Sequence, residues 1–442
     1  MKKIFLALLL LAMTASLCAC GSVELPPLPA FPSPAAPATP TIAPNIAVTP
    51  APTLAAVETT PEVTPEPEPV IEEPAPTRVI VTFETHGEHV MDPATGEIDI
   101  LDFSYVTPVV YLEGRDLPAA MINEYIAMLD ESFYTGNDYG AGSAGGFNYM
   151  LEIAEDNFTY IWENRLISAT LEYAATRDVR VERADDKLLD LVFHYYEFTG
   201  GAHGNYTDYA CVFDTESGEL LTLDKLSDDD VALTAYLLSA MLAQAEEDER
   251  ISPDYIAEED RPEAFRNLLR EGGWYFDDVG LVIFANPYDI APYAAGIIDF
   301  HIPYESLRGH VDEKWLPAER SEGGGFQIYP LDELEGGSVV LLDRVVLDEN
   351  ARELCLLAEG TVYDVALTNV IYMDQFYLGK PIWNCSYMTD CALQLCAMIP
   401  DGTPNLMLRY RSADGAQHTL LITESGENGS PMLVEENVPA AG

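Results

Sequence analysis

Leu188–Leu223 reads LLDLVFHYYEFTGGAHGNYTDYACVFDTESGELLTL. Leu191, Phe193 and Tyr195 alternate with Val192, His194 and Tyr196, so both faces of Leu188–Phe198 are largely apolar. That pattern suits a strand covered on both sides. Thr199-Gly200-Gly201-Ala202-His203-Gly204 follows, three glycines in six residues. Glycine supplies positive φ and allows close approach to the backbone. A second strand, Tyr206–Asp214, comes next, and Glu216-Ser217-Gly218 turns the chain into a third, Glu219–Leu223. The unit reads as a meander whose glycine-rich tip carries one histidine.

YYEFTGGAHGNYTDY with FDTESGELLTLDKL resembles the extracytoplasmic domain shared by the lysozyme-sensing anti-sigma factor RsiV and the peptidoglycan deacetylase PdaC. A second block agrees: Trp274, then GLVIFANPYDIAPYAAGIIDFHIPYESL from Gly280 to Leu307. The family's block runs close to PYEIAPYAAG; here Asp289 stands in place of Glu. The resemblance spans roughly residues 98 to 316. It implies a domain and not an activity. What it implies about partners is a lysozyme-like protein or peptidoglycan.

Outward from this unit, the N-terminus MKKIFLALLLLAMTASLCACGS has Lys2 and Lys3, an apolar run and then Leu17-Cys18-Ala19-Cys20. It reads as a secretory signal whose end resembles a bacterial lipobox. Cleavage before Cys20 would leave its thiol to be acylated, and two or three acyl chains suffice for stable anchoring. The expected location is the outer face of a bacterial membrane, with contact to that membrane through the lipid only. Residues 21–77 are rich in Pro, Ala, Thr and Glu, with too few large apolar residues to offset the entropy of ordering. In polyproline II form this tether would reach roughly 170 Å.

From Arg78 the composition turns globular. Val79–Val81 and Ile98–Val110 read as strands. Pro118–Phe133 reads as a helix with Ile122, Tyr125, Ile126, Leu129 and Phe133 as its stripe, Asn123 and Glu124 opposite. Residues 134–147 form a glycine-rich loop, Glu152–Asn164 a second helix and Leu166–Val181 two strands. Beyond the meander, Asp228–Asp248 and Pro262–Arg270 read as helices, Trp274–Asp277 and Gly280–Ala285 as a hairpin, and Ile297–Pro303 as a strand. Residues 78–318 are thus expected to be α+β, a mostly antiparallel sheet with inserted helices. Glu319–Gly325 reads as a linker. Residues 326–442 read as a small all-β domain, with strands at Ser338–Leu347, Glu353–Ala358, Val362–Tyr372, Ile382–Met388, Leu406–Tyr410 and His418–Thr423, and a turn at Ala413-Asp414-Gly415.

The net charge of −52 argues against nucleic acid and against anionic lipid headgroups. It favours a cationic partner, and it equally serves solubility. Beyond Cys18 and Cys20 there are five cysteines: Cys211, Cys355, Cys385, Cys391 and Cys396. Cys211 suits a buried small hydrophobe. The last four lack the C-x2-C spacing of zinc sites, and one disulfide among them or none are both open.

Catalytic patterns are missing. Phe276-Asp277-Asp278-Val279-Gly280 only echoes the paired-Asp zinc motif of a deacetylase, and His301, His310 and His418 do not stand at His-x3-His spacing. Ala141-Gly142-Ser143-Ala144-Gly145 is not a nucleophile elbow. The expectation is a binding protein with no catalytic residue, metal or cofactor. The alternatives are a wall-modifying hydrolase of another mechanism and a structural envelope lipoprotein. The candidate binding residues are Tyr196, Thr199, Gly200, Gly201, His203, Gly204, Tyr288 and Tyr293. For His203, three roles stand side by side: capping loop carbonyls, partner contact, or catalysis and metal binding. For Tyr288–Gly296, a packed corner and a binding surface are both compatible with two prolines, two tyrosines and a glycine.

Overall fold

The structure, a computed structural model, describes residues 76–136, 146–164, 166, 172–271, 273–318, 323–331, 339–372, 376–400, 403–424 and 430–435. Cys20, the proline-rich segment up to residue 75, most of the 134–147 loop and residues 319–322 of the expected linker lie outside the described residues.

Strands β1 (Val79–Met91) and β2 (Asp99–Leu112) form a long hairpin. Its tip folds round Asp92, whose carboxylate accepts from the backbone N–H groups of Ala94, Thr95, Glu97 and Ile98. Helices α1 (Asp116–Thr135) and α2 (Gly146–Asn164) follow, then β3 (Tyr173–Ala184), parallel to β2. β4 (Leu188–Phe198) and β5 (Asn205–Asp214) complete this half by antiparallel pairing. The expected stripe of α1 is the buried one, Ile122, Ile126, Leu129 and Phe133. Asn123 does not face solvent as its position in the stripe pattern suggests. Its amide bonds both the N–H and the C=O of Val110 at 2.9 and 2.8 Å, on a part of β2 that β3 does not reach.

The two-sided apolarity of β4 has a plain cause. Leu188 and Val192 enter one core, while Leu189, Leu191, Phe193 and Tyr195 enter another on the opposite face, under α1 and α2. The first core is closed by helices α3 (Asp230–Glu247) and α4 (Arg261–Glu271) and by a three-stranded sheet of β6 (Trp274–Phe276), β7 (Gly280–Ala285) and β8 (Ile298–Pro303). α3 begins at Asp229, whose side chain accepts from the Ala232 N–H. Buried Asp190 ties β4 to β6 by accepting the Phe276 N–H at 2.5 Å. Burial pushes its carboxyl well up, against the opposing pull of Arg183.

Two strand expectations need correction. The third meander strand is a single bridge, Phe213 to Leu220, because the chain bends at once into a short 3₁₀ turn that buries Leu223 and Leu226. Between residues 166 and 181 the described residues hold one strand, β3, not two.

The C-terminal part is all β. β9 (Gly325–Pro330), β11 (Glu353–Glu359), β14 (Cys391–Cys396) and β10 (Val340–Val346) make a four-stranded sheet. β12 (Thr361–Tyr372), β13 (Phe376–Thr389), β15 (Leu406–Arg411), β16 (Gln417–Glu424) and β17 (Pro431–Glu435) do not form a sheet of their own. They continue the first one, in the order β17-β16-β15-β12-β13-β1-β2-β3-β4-β5. β1 and β13 pair at Ile80–Cys385, Val81–Asn384 and Thr82–Trp383, and Ile80 is buried in the C-terminal core. The regions 78–318 and 326–442 therefore keep separate cores and share one sheet. The expected linker ends in strand: Gly325 opens β9. Cys211, Cys355, Cys385, Cys391 and Cys396 are all buried free thiols. Burial pushes Cys385 up to about 12.

Candidate functional site

The β4–β5 hairpin is symmetric about Gly201, so His194 and Tyr196 lie opposite Asp208 and Tyr206. Cross-strand partners share a face. That face points toward the segment between β7 and β8, and here the two sequence-distant candidates meet. The Tyr293 hydroxyl donates to the Gly204 carbonyl at 2.6 Å, 89 residues away. The His203 ring stacks on Tyr293 with centroids 3.9 Å apart and planes 19° from parallel. Tyr206 meets Tyr293 edge-on at 5.4 Å, and Tyr288 lies 5.8 Å from it. Desolvation first, then Tyr206, Tyr196 and Tyr288, push the Tyr293 phenol up.

His203 Nδ1 lies 2.9 Å from the same Gly204 carbonyl. A carbonyl only accepts, so Nδ1 carries the proton and a neutral ring keeps Nε2 as an acceptor. The ring caps the loop as one reading expected, and it stays exposed. Gly200 and Gly201 have φ of +89° and +107°, conformations that side chains rarely adopt. Gly204 does not need positive φ. A Cβ there would fall 2.5 Å from the Tyr196 ring, so close approach is its requirement. Thr199 sits exposed at the rim, and Tyr288, 56% exposed with φ +77°, marks the far end.

Four residues that sequence reading passed over hold this surface. His194 Nδ1 lies 2.6 Å from Asp208 Oδ1, and Arg180 of β3 reaches the other carboxylate oxygen at 3.3 Å. Asn286 accepts the Asp208 N–H at 2.7 Å and donates to its carbonyl at 3.0 Å, fastening the tyrosine loop to β5. The signal for His194 and Asp208 was available: both stand seven residues from Gly201 (201 − 194 = 208 − 201). For Arg180 and Asn286 no local pattern exists. Among the described residues no cluster of three His, Cys, Asp or Glu side chains is placed to hold a metal.

Fold and site define an α+β protein with an exposed aromatic and histidine surface, built jointly by a hairpin tip and a loop from another sheet. Residues 221–305 match the model of a family described as a protein of unknown function, DUF3298, and this stretch of the chain is a DUF3298 domain. It includes the tyrosine loop and stops short of the glycine-rich tip. A solved DUF3298 family member from Bacteroides fragilis NCTC 9343 is similar at 21% identity and TM-score 0.38, over 53% of this chain and 94% of that one. A DUF3298 family protein from Pseudomonas aeruginosa PAO1 is similar at 15% identity and TM-score 0.33, over 54% and 97%. No curated protein matches. Among the described residues no helix is long and apolar enough to cross a membrane.

Proposed function

We propose that the chain is a lipid-anchored cell-surface binding protein, attached through Cys20, whose His203–Tyr293 surface contacts a lysozyme-like protein or peptidoglycan. The supporting observation is convergence: the glycine-rich tip and the tyrosine loop, the two blocks that resemble the RsiV and PdaC domain, stack on each other at 3.9 Å. Rigid tyrosines with free edges are the anchors that binding surfaces favour. The −52 charge would speed encounter with a cationic partner and lose that gain as salt rises.

The test is binding of a cationic lysozyme at low and at physiological salt, with His203→Ala and Tyr293→Ala beside the parent. The expected result is binding that survives physiological salt and weakens at least about tenfold in either variant, roughly 1.4 kcal/mol. Binding confined to low salt and equal in all three proteins would be electrostatic adhesion and would overturn the lysozyme reading. Co-sedimentation with insoluble cell wall tests the peptidoglycan partner with the same variants. The His194–Asp208 contact favours one second reading, since an imidazole oriented by a carboxylate is a general base in waiting. Muropeptides released from wall by the parent and lost in His194→Ala would make the protein a hydrolase.

A further inference from the structure

A cleft of about 920 Å³ lies away from the aromatic surface. Its floor is the end of β3 and the turn after it, one wall is the sheet face of β12, β13 and β15, and the other is the β6–β7 turn with Tyr304. Most charges lining it are already matched. Arg411 pairs with Asp278 of the opposite wall and with Asp364. Arg183 pairs with Asp185 at 2.7 Å. Glu182, the carboxylate that acts on Arg409 through space, is held by Arg180 at 2.7 Å.

Two groups are less well matched than these. The Arg409 side chain makes no hydrogen bond or ion pair among the described residues, and its Nε is buried without a partner. Desolvation pulls this guanidinium down, and neighbouring Arg411 adds to the effect. Asp186, on the floor of the same cleft, is only partly matched: burial and then Asp185 push its carboxyl up, against weaker pulls from Lys187, its own backbone N–H and Arg115. Both line the one cavity, one cationic and one anionic. An unpaired charge out of water is costly, and a ligand that matched both would relieve both.

We infer that this cleft binds a short peptide with both termini free, its carboxylate on Arg409 and its ammonium at Asp186. The surrounding carboxylates disfavour a polyanion and welcome an ammonium. The volume lies within the usual range for a small-ligand site. A planar guanidinium donates two parallel hydrogen bonds to a carboxylate. The inference is independent of the aromatic surface, which lies on other residues.

The experiment titrates the full chain with Ala-Ala-Ala, its C-terminal amide and its N-acetyl form, by calorimetry. The expected result is saturable binding of the free tripeptide. Amidation and Arg409→Ala should each weaken it at least tenfold, and acetylation and Asp186→Asn should weaken it severalfold. Arg409→Ala should melt close to the parent, because the guanidinium has no hydrogen bond to lose and only the through-space pull of Glu182 goes with it. No saturable binding at millimolar peptide overturns the inference. So does equal binding of the amide, a result that needs no variant to fold, and so does full binding by a folded Arg409→Ala chain.

Discussion

A methyl group at Gly204 would stand 2.5 Å from two carbons of the Tyr196 ring, whereas one at Gly200 would meet Tyr173 at an ordinary 3.6 Å. The two glycines are therefore required for different reasons, space at one and φ at the other. Gly204→Ala is expected to destabilise by roughly 1–3 kcal/mol through overpacking. Gly200→Ala is expected to cost about 1 kcal/mol, the penalty of the left-handed region. Thermal melting of both variants checks the order, and a Gly200 variant that melts lower than the Gly204 variant would refute it. A glycine cluster beside one histidine was legible in the sequence as a special backbone. That Gly204 answers to Tyr196 was not, because the ring comes from across the hairpin. His203 shows the same division: its place in a tight tip could be read, and its Tyr293 stacking partner, 90 residues on, could not.

At the scale of elements, the tyrosine loop is hydrogen-bonded to the edge of β5 through the Asn286 side chain. Asn286 offers Asp208 an acceptor and a donor, as a neighbouring strand would, and Asp289 in turn accepts the Asn286 N–H at 2.8 Å. Asn286→Ala removes both contacts. About 1–3 kcal/mol of local stability should go with them, and amide exchange at Asp208 and in residues 287–296 should speed up. Protection unchanged at those amides would mean that ring stacking alone holds the loop. Helices α1 and α3 were legible because their stripes are local, a matter of 3.6-residue spacing and an acidic start. β14 was missed because Cys391–Cys396 is buried at every position and shows no alternation. Its parallel partner β10 lies far back in the chain. The third meander strand was over-read, since the chain makes one bridge at Leu220 and then turns to bury Leu223 and Leu226.

Across the whole molecule, the α+β class and the β-rich C-terminal part could be read from composition and period, but the sheet common to both could not. Pairing between β1 and β13 links residues some 300 positions apart, with Val79 donating to Ser386 Oγ at 2.9 Å across 307 residues. A chain ended at residue 318 would expose the β13-facing edge of β1 and strip the cover from Ile80. Residues 76–318 are expected to melt lower than the full chain and to self-associate through that edge. A monomer with the melting temperature of the full chain would instead make 78–318 an independent domain. The entry to β1 is also fastened on both sides. Arg78 pairs with Glu113 at 3.3 Å and donates to the Tyr387 carbonyl at 3.2 Å, while the Tyr387 hydroxyl donates to the carbonyl of Pro76. Any load applied from the N-terminal side therefore enters at an interior strand, along its length. It must shear the ladders to β2 and β13 together and cannot unzip an edge one bond at a time. The point where the chain would be held is the point at which pulling does least harm.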